Sequence, residues 1–387
     1  MTRSPGKASL IRTVPGEAQS ERRERKAPPS LPPAQSGRSS LDDEAKRKIA
    51  ALTRLANHRQ AFLAQAHDYP DPDTLASAFA LTWLLHELTG IEGQIGYGGI
   101  VGRAENRAMV RVLGLKLRKI TAASDFAKYD LIALLDTQPE SGNHSVPSER
   151  LPDIVVDHHF PRERTGPKPS YYDVGGEFGT TSTKVTELVR ASGIKPPPEV
   201  ATALFYGVKS DTLNLARVTT PLDVEAYLYL FPMIDRAMLS EIEHPQVPLD
   251  YFRVMTKALS RAKIHGNMIV ADLGTVYTPD LCAEIADRLL QVEGMKHALA
   301  TGWYEDGLFF SLRTRAVRKN AGRMLHAIVA GQGLGTAGGH GPMAGARVEV
   351  AGKSSRARAA LRRKIIGEIL AGFGEDQRNS KPLVDED

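Results

Sequence analysis

Four short polar stretches carry the side chains of this sequence best suited to bond chemistry, each placed where an apolar run or helical pattern stops. They are His67-x3-Asp71-x-Asp73 after the run at 62–66, Asp136 after 131–135, Asp157-His158-His159 after 154–156, and Asp211 in Gly207-Val-Lys-Ser-Asp-Thr. Burying several carboxylates together without compensation costs several kcal/mol per ion, so the pattern predicts cations among them. Imidazoles and carboxylates with no thiolate suit a borderline-hard divalent ion such as manganese better than the sulfur-rich sites of structural zinc. Two such ions roughly 3.5–4 Å apart would lower the pKa of a water and hold the attacking and leaving oxygens of an in-line displacement at phosphorus. Each stretch has an ordinary explanation when taken alone. An Asp-x-Asp beside proline is common in Asx turns, and a His-His pair after a strand can be a cap or a satisfied core pair. Their coincidence, in order, at four element ends favours the metal.

The elements that must position these residues can be read from hydrophobic periodicity. A helix ends near 58, a strand at 62–66 follows, and 74–89 is apolar nearly all round and stops at Gly90, as a buried helix with a glycine C-cap would. A strand at 94–97, a helix at 103–113, strands at 131–136 and 154–157, and helices at 180–191 and 198–208 continue the alternation. This predicts an α/β domain with a mostly parallel sheet and helices on both faces. In such sheets ligands bind beyond the carboxyl ends of the strands, where the four polar stretches lie. A helical connector over 221–262 leads to a smaller α/β unit. It contains a strand at 267–273, a helix at 279–291, a hairpin turning at Glu305-Asp306-Gly307, a helix at 320–330, a glycine-rich loop at 331–345 and a strand at 347–350. The domain organisation expected is a disordered basic tail (1–42), a catalytic domain (43–215), a helical connector (216–262), a second α/β domain (263–372) and a disordered tail (373–387).

Composition narrows the function classes. With 387 residues, two domains are expected; 42% hydrophobic and 25% charged residues leave room for disorder only in the tails. The net charge of +5 suits a polyanion, but much of the excess falls in the tails, and the charged segment 20–26 reads as solvated chain that could contact nucleic acid. One cysteine, Cys282, excludes an internal disulfide and a thiolate metal cluster; its place in an apolar helical pattern makes it core filler. No apolar run reaches the ~18 residues of a membrane span and 1–45 has no signal-peptide core, which predicts a cytoplasmic protein. The cluster Gly96-Tyr-Gly98-Gly99-Ile-Val-Gly102 follows a strand, yet its third glycine comes one residue late for a dinucleotide fingerprint, so a turn is the better account.

The signature His67-Asp-Tyr-Pro-Asp71-Pro-Asp73, the pair Asp136-Thr137, the triplet Asp157-His158-His159 and the triplet Ser210-Asp211-Thr212 together resemble the four motifs of the DHH phosphoesterase superfamily. Downstream, 310–314 and Gly338-Gly339-His340-Gly341-Pro342-Met343-Ala344-Gly345 resemble the DHH-associated C-terminal domain of the Gly-Gly-His type. The resemblance covers about 55–352. It implies the branch of nano-RNases, 3′-phosphoadenosine-5′-phosphate phosphatases, RecJ-like exonucleases and cyclic-dinucleotide phosphodiesterases, and points away from the pyrophosphatases. The chain departs from the family at Tyr69, where Asn is usual, at Thr74, and at Thr336-Ala337, which interrupt the usual glycine run.

By this resemblance, His67, Asp71 and Asp136 would hold one ion and Asp73, Asp136, His158 and Asp211 a second, with Asp136 bridging. The ions would be two divalent cations, manganese first and magnesium as the alternative. His159 would face the scissile phosphate and Asp157 would orient the histidines. Arg313, Gly338, Gly339 and His340 of the second domain would grip the substrate phosphate, through a bidentate guanidinium and closely approached backbone N–H groups, with the active site in the cleft between domains. The implied activity is hydrolysis of short oligoribonucleotides or 3′,5′-bisphosphate nucleotides. The alternatives are a single-strand exonuclease, a cyclic-dinucleotide phosphodiesterase, or a catalytically silent nucleotide- or RNA-binding regulator. An exonuclease for long strands should show base-stacking aromatics along a basic groove, and with 6% aromatics no such cluster is visible in the sequence. The partners implied are a short RNA or nucleotide, no membrane, and a second copy in a homodimer.

Overall fold

The computed structural model of the chain describes residues 36–384 apart from 165, 218 and 317–319. The charged segment 20–26 and most of the expected N-terminal tail lie outside the described residues. From Ser36 onward the chain is helical, in α1 (Ser36–Ala56).

The first domain continues with β1 (Ala61–Ala66), α2 (Pro72–Thr89), β2 (Glu92–Tyr97), α3 (Ala104–Val112), β3 (Leu117–Lys119), β4 (Leu131–Leu135), β5 (Ile154–Asp157), β6 (Tyr171–Val174), α4 (Thr181–Ser192) and α5 (Pro198–Asp211). Its six strands are parallel, in the order β3-β2-β1-β4-β5-β6. The edge strands β3 and β6 escape a search for apolar runs, because Leu117-Arg-Lys and the half-buried Tyr172-Asp-Val form none. Every residue of β4 is buried, as in a parallel sheet covered on both faces. Phe62, Ala64, Leu131, Leu135 and Val156 share a core with α2, α4 and α5. Leu63, Ile132, Leu134 and Val155 pack against Ile120, Phe126, Tyr129 and Val146 on the other face. That face carries a 3-10 turn (Ala123–Phe126) and irregular chain in place of the α-helices expected there.

The connector divides between two cores. α6 (Pro221–Leu230) and α7 (Arg236–Glu243) place Leu230 and Ile242 in the first core, whereas α8 (Leu249–Arg261) places Val254 and Ala258 in the second. The break falls at 244–248, where Pro245 and Pro248 interrupt the helix.

The second domain comprises β7 (Lys263–His265), β8 (Met268–Thr275), α9 (Asp280–Leu289), β9 (His297–Tyr304), β10 (Gly307–Thr314), α10 (Ala321–Leu325), β11 (Gly335–His340), β12 (Met343–Glu349), α11 (Ser355–Phe373) and β13 (Lys381–Pro382). The sheet order is β11-β12-β10-β9-β8-β7-β13; β8 and β9 are parallel across α9 and the other pairs are antiparallel. The glycine-rich segment is therefore an edge strand and not the loop its composition predicts, with Gly338 opposite Gly345 and Gly339 opposite Ala344. Glycine disfavours strands in isolation, so the ladder to β12 must hold it there. The expected C-terminal tail also returns to the sheet. β13 pairs with β7, a Glu375 carboxylate oxygen accepts from Asn267 N at 3.0 Å, and Leu383 N donates to Ala262 O at 2.9 Å. Cys282 is buried in the second core, in keeping with a filling role. No helix among the described residues is long and apolar enough to cross a membrane.

Candidate metal centre

Strand order in the first sheet reverses between β1 and β4, and this is where open α/β sheets bind ligands. His67 through Asp73 leave β1, Asp136 leaves β4, Asp157-His158-His159 close β5 and Asp211 ends α5. Asp71 caps α2, accepting from Thr74 N at 3.1 Å, and Pro72 fills the first helical position, where its missing N–H costs nothing. Asp73 is buried and accepts the N–H groups of Thr181 and Ser182, at 2.8 and 2.7 Å, at the start of α4. Asp136 leaves its strand in the left-handed backbone conformation, φ 59°, which Asp tolerates better than most residues. Its Oδ1 accepts from the Thr181 hydroxyl at 2.7 Å.

These turns bring all six expected ligands together. His67 Nε2 lies 3.7 Å from both Asp71 Oδ1 and Asp136 Oδ2. His158 Nε2 lies 3.5 Å from Asp136 Oδ1 and 3.7 Å from Asp211 Oδ2. Donor atoms of His67, Asp71 and Asp136 fall within 4.8 Å of one another, as do those of Asp73, His158 and Asp211 and those of Asp136, His158 and His159. His67 Nδ1 lies 2.9 Å from the Asp68 carbonyl, a contact that puts the proton on Nδ1 and leaves Nε2 with a lone pair toward the carboxylates. His159 Nδ1 lies 2.8 Å from Asp157 Oδ1. Asp157 is buried and also accepts from Gln138 Nε2 at 2.8 Å, so its orientation is set from two sides.

The electrostatics show why cations belong here. Burial, and then the charges of Asp73, Asp71, Asp157 and Asp211, raise the Asp136 carboxyl well above the usual carboxylate range. Burial and the Asp211 and Asp71 charges push Asp73 up to about 7, and burial and Asp71 push Asp211 up to about 6. Asp71 moves the other way: burial opposes its charge, but the hydrogen bond and charge of His67 hold it below the usual range. Burial and the adjacent His159 push His158 down to about 4, leaving a neutral imidazole with a lone pair to give. Burial also disfavours the charged form of His159, but the hydrogen bond and charge of Asp157 outweigh it and raise the group above its ordinary value. Crowded, buried carboxylates with imidazoles among them form a donor set that fits divalent cations.

The second domain places its expected residues less uniformly. Arg313 is buried and ion-paired, with Nε 2.5 Å from Asp287 Oδ1 and Nη1 donating to Ser311 Oγ at 2.9 Å. Arg103, at the start of α3, shares the same carboxylate through Nη2 at 3.0 Å from Asp287 Oδ2, tying the first domain to α9. On β12, Met343 stands opposite both Arg313 and His340, and Gly345 opposite both Ser311 and Gly338. The side chain of His340 lies outside the described residues. Three residues that touch the centre are not evident from the sequence. Thr181 belongs to a run of buried hydroxyl residues, 180–183, that reads only as a helix cap. Gln138 holds Asp157. Arg217, whose Nη2 lies 3.0 Å from Asp211 Oδ1, follows a turn with no sequence signature. The glycines of 96–102 form no nucleotide loop; they let the chain pass close to Asp68, Tyr69 and Asp280.

No family model matches the chain. An uncharacterized protein of Methanocaldococcus jannaschii is 37% identical over 298 residues, which cover 76% of this chain and 60% of that relative, so the chain spans about 60% of the relative's length. A probable manganese-dependent inorganic pyrophosphatase of Streptococcus pyogenes is 25% identical over 280 residues, covering 67% of this chain and 84% of the relative. Among solved structures, an exopolyphosphatase-related protein of Bacteroides fragilis matches with a TM-score of 0.61 at 16% identity, over 87% of this chain and 97% of that one; this is a likeness of fold. A two-domain α/β fold with four His/Asp motifs converging at the switch point of a parallel sheet is the architecture of a phosphoesterase class. The motifs of this chain resemble those of the DHH phosphoesterase superfamily, and its fold is in keeping with that resemblance. Its similarity to a pyrophosphatase means that the Gly-Gly-His segment does not by itself set the chain apart from that branch.

Proposed function

We propose that the protein is a hydrolase of phosphate esters that uses two divalent cations, manganese first, and acts on short oligoribonucleotides or 3′,5′-bisphosphate nucleotides. The observation that carries this is the pair of donor triads, His67/Asp71/Asp136 and Asp73/His158/Asp211, joined through the contact of Asp136 with His158. When bound, the cations supply Lewis-acid charge at the phosphoryl oxygens and lower the pKa of an attacking water. The chain's own residues do the rest. Asp136 bridges the triads, and Thr181 fixes its orientation. His159, partly exposed at the rim and held through Nδ1 by Asp157, would give a proton from Nε2 to the phosphoryl or leaving oxygen in its imidazolium form, which the Asp157 charge favours. Arg313 and the bare backbone of Gly338 and Gly339 bind phosphate from the second domain, with His340 at the end of the same strand. The single cysteine is consistent with a reducing, cytoplasmic setting.

The test is a product assay with manganese on a di- to pentanucleotide RNA ladder, 3′-phosphoadenosine-5′-phosphate, cyclic di-AMP, long single-stranded DNA and pyrophosphate, with Asp136→Ala alongside. Turnover of the short RNA and the bisphosphate, lost in the variant together with bound metal, is expected. Turnover of pyrophosphate alone, which the similarity to a pyrophosphatase makes the chief rival, would replace the substrate and keep the chemistry. Unchanged metal stoichiometry in the variant would sink the ligand assignment. Binding without product would make the protein a regulator.

A further inference from the structure

A cavity of about 560 Å3 opens between the two sheets, lined by Asp68, Tyr69 and Asn143 of the first domain and by Phe309, Gly338 and Arg347 of the second, among others. Tyr69 is two residues beyond His67 and 47% exposed, which is unusual for an aromatic beside a buried polar centre. Its backbone is left-handed, φ 58°, and its N–H donates to Gly98 O at 3.1 Å. Gly99 backs the ring: a Cβ there would lie 2.9 Å from Cγ, 2.9 Å from Cδ2 and 3.0 Å from Cδ1. Near-equal distances to these three atoms mean that the chain covers a face of the ring and not its edge. The ring also lines the cavity.

The second sheet answers with a cation and an aromatic. The Arg347 guanidinium lies 5.9 Å from the Phe309 ring centroid, and Tyr304 meets Phe309 edge-on at 6.2 Å. Phe309 and Arg347 are directly opposite on β10 and β12, with Thr336 next in line on β11. Two residues along the same strands lies the row Ser311, Gly345, Gly338, and two further the row Arg313, Met343, His340. Met343 Sδ is 3.8 Å from Arg217 Nη1, and Arg217 is bonded to Asp211, so the last row borders the metal centre. At ~3.4 Å per residue, adjacent rows stand ~7 Å apart. The aromatic row thus lies ~14 Å from the row that borders the metal centre and ~7 Å from the strip of bare glycine backbone between them, the latter the scale that separates phosphate from base within a nucleotide.

We propose that Tyr69, Phe309 and Arg347 form a slot for a nucleobase of a substrate whose phosphates cross the glycine strip to the metal centre, so that the site selects nucleoside phosphates over pyrophosphate and polyphosphate. Flat π-faces bind any base by stacking, and neither inorganic phosphate chain offers the rings a partner. The polar edges of Asp68 and Asn143 border the same space. The slot deepens the phosphoesterase proposal, but base binding does not depend on turnover.

The experiment is equilibrium binding of 5′-AMP and of ribose 5-phosphate to the full chain, with Tyr69→Asn and Tyr69→Phe, beside hydrolysis of the dinucleotide pApA. Asn removes the ring while tolerating the left-handed backbone, and the position is exposed, so the fold is kept. Expected is a preference of the wild-type protein for AMP of about tenfold to a hundredfold, the range of base–aromatic stacking, kept by Tyr69→Phe and lost in Tyr69→Asn. The KM for pApA should rise in Tyr69→Asn more than kcat falls. Equal wild-type affinities for the two ligands, or an equal loss for both in Tyr69→Asn, would overturn the slot. Hydrolysis of short RNA with no preference for AMP would leave the enzyme and remove the slot. A Tyr69-dependent preference with no hydrolysis of any substrate would do the reverse.

Discussion

Arg217 reaches back across a left-handed turn to Asp211: its Nη2 stands 3.0 Å from Asp211 Oδ1, while Nη1 lies 3.8 Å from Met343 Sδ on the second sheet. Leu213, Asn214 and Leu215 hold φ values of 48°, 58° and 63°, a conformation that is costly for leucine. The hydrogen bonds Asn214 N to Lys209 O, 2.7 Å, and Arg217 N to Thr212 O, 2.8 Å, keep the turn closed. Burial and Asp71 already push the Asp211 carboxyl up to about 6, and Arg217 opposes them. Without that cation more of the carboxyl is protonated near neutrality, and an incoming metal must displace the proton. Arg217→Ala should therefore weaken manganese binding by about tenfold to a hundredfold, as loss of a residue supporting a metal ligand commonly does. Arg217→Lys, a point charge without the planar fork, should fall between. A manganese titration followed by calorimetry decides it; wild-type affinity in Arg217→Ala would remove the residue from the site.

The metal-free protein should lose stability as pH rises from about 4 to 7. Asp136, Asp73 and Asp211 have carboxyl pKa values raised in the fold, the last two to about 7 and about 6. In that window the folded chain holds protons that the unfolded chain has released, so unfolding becomes easier with increasing pH. His67 and His159, also raised, act in the same direction as pH passes through their folded values. His158, lowered to about 4, opposes them between there and its unfolded value. Three carboxylates and two imidazoles against one imidazole give a net fall. Saturating manganese should flatten or reverse the trend, because the ion takes the place of the protons. Melting curves in chelator and in manganese from pH 5 to 8 test this, and a chelated protein that gains stability over the range would contradict it.

The candidate centre is more legible in the sequence than several elements that surround it. His67, Asp71, Asp73, Asp136, His158 and Asp211 stand within a few residues of an element end, so apolar periodicity locates each one and strand order brings them together. What periodicity misses is whatever tertiary pairing creates. β11 is a strand because β12 holds a glycine run in register, and β13 is a strand because the chain returns past α11 to β7. Helices on the second face of the first sheet are expected from the fold class, but that face is covered by 3-10 turn and irregular chain. Low aromatic content hides the grouping of Tyr69, Tyr304, Phe309 and Arg347, since Tyr69 stands more than two hundred residues from the other three. Composition is an average, and the cleft is a local selection from it.

Asp287 should matter to substrate affinity without touching the metals. Its two oxygens hold Arg313 Nε at 2.5 Å and Arg103 Nη2 at 3.0 Å, so one carboxylate orients the expected phosphate-binding guanidinium and links the domains. Asp287→Ala leaves the buried Arg313 with its bonds to Ser311 Oγ and Leu312 O but no counter-charge. The KM for a dinucleotide should rise by about tenfold, one charge-assisted hydrogen bond's worth, with a smaller change in kcat. Asp287→Asn, which keeps an acceptor, should lose less. Unchanged KM in both variants would mean that Arg313 needs no orienting partner.

Gly338 and Gly339 are adjacent on β11 and should respond oppositely to alanine. A Cβ at Gly339, whose φ is 137°, would lie 2.3 Å from Met343 O and 2.6 Å from Ala344 Cα, against backbone that cannot yield without breaking the β11–β12 ladder. Gly339→Ala should therefore lower stability by about 1–3 kcal/mol, the usual cost of such a forced conformation, with the clash adding to it. At Gly338 nothing lies within 4 Å of the added carbon. Gly338→Ala should leave the melting temperature nearly unchanged, since open surface positions shift stability by no more than about 0.5 kcal/mol. If Gly338 is bare so that phosphate and sugar can approach the backbone N–H groups, the same variant should still cost about tenfold or more in kcat/KM. A stable Gly338→Ala protein with full activity would show that substrate does not cross this strip, and the path from metal centre to aromatic row would have to be redrawn.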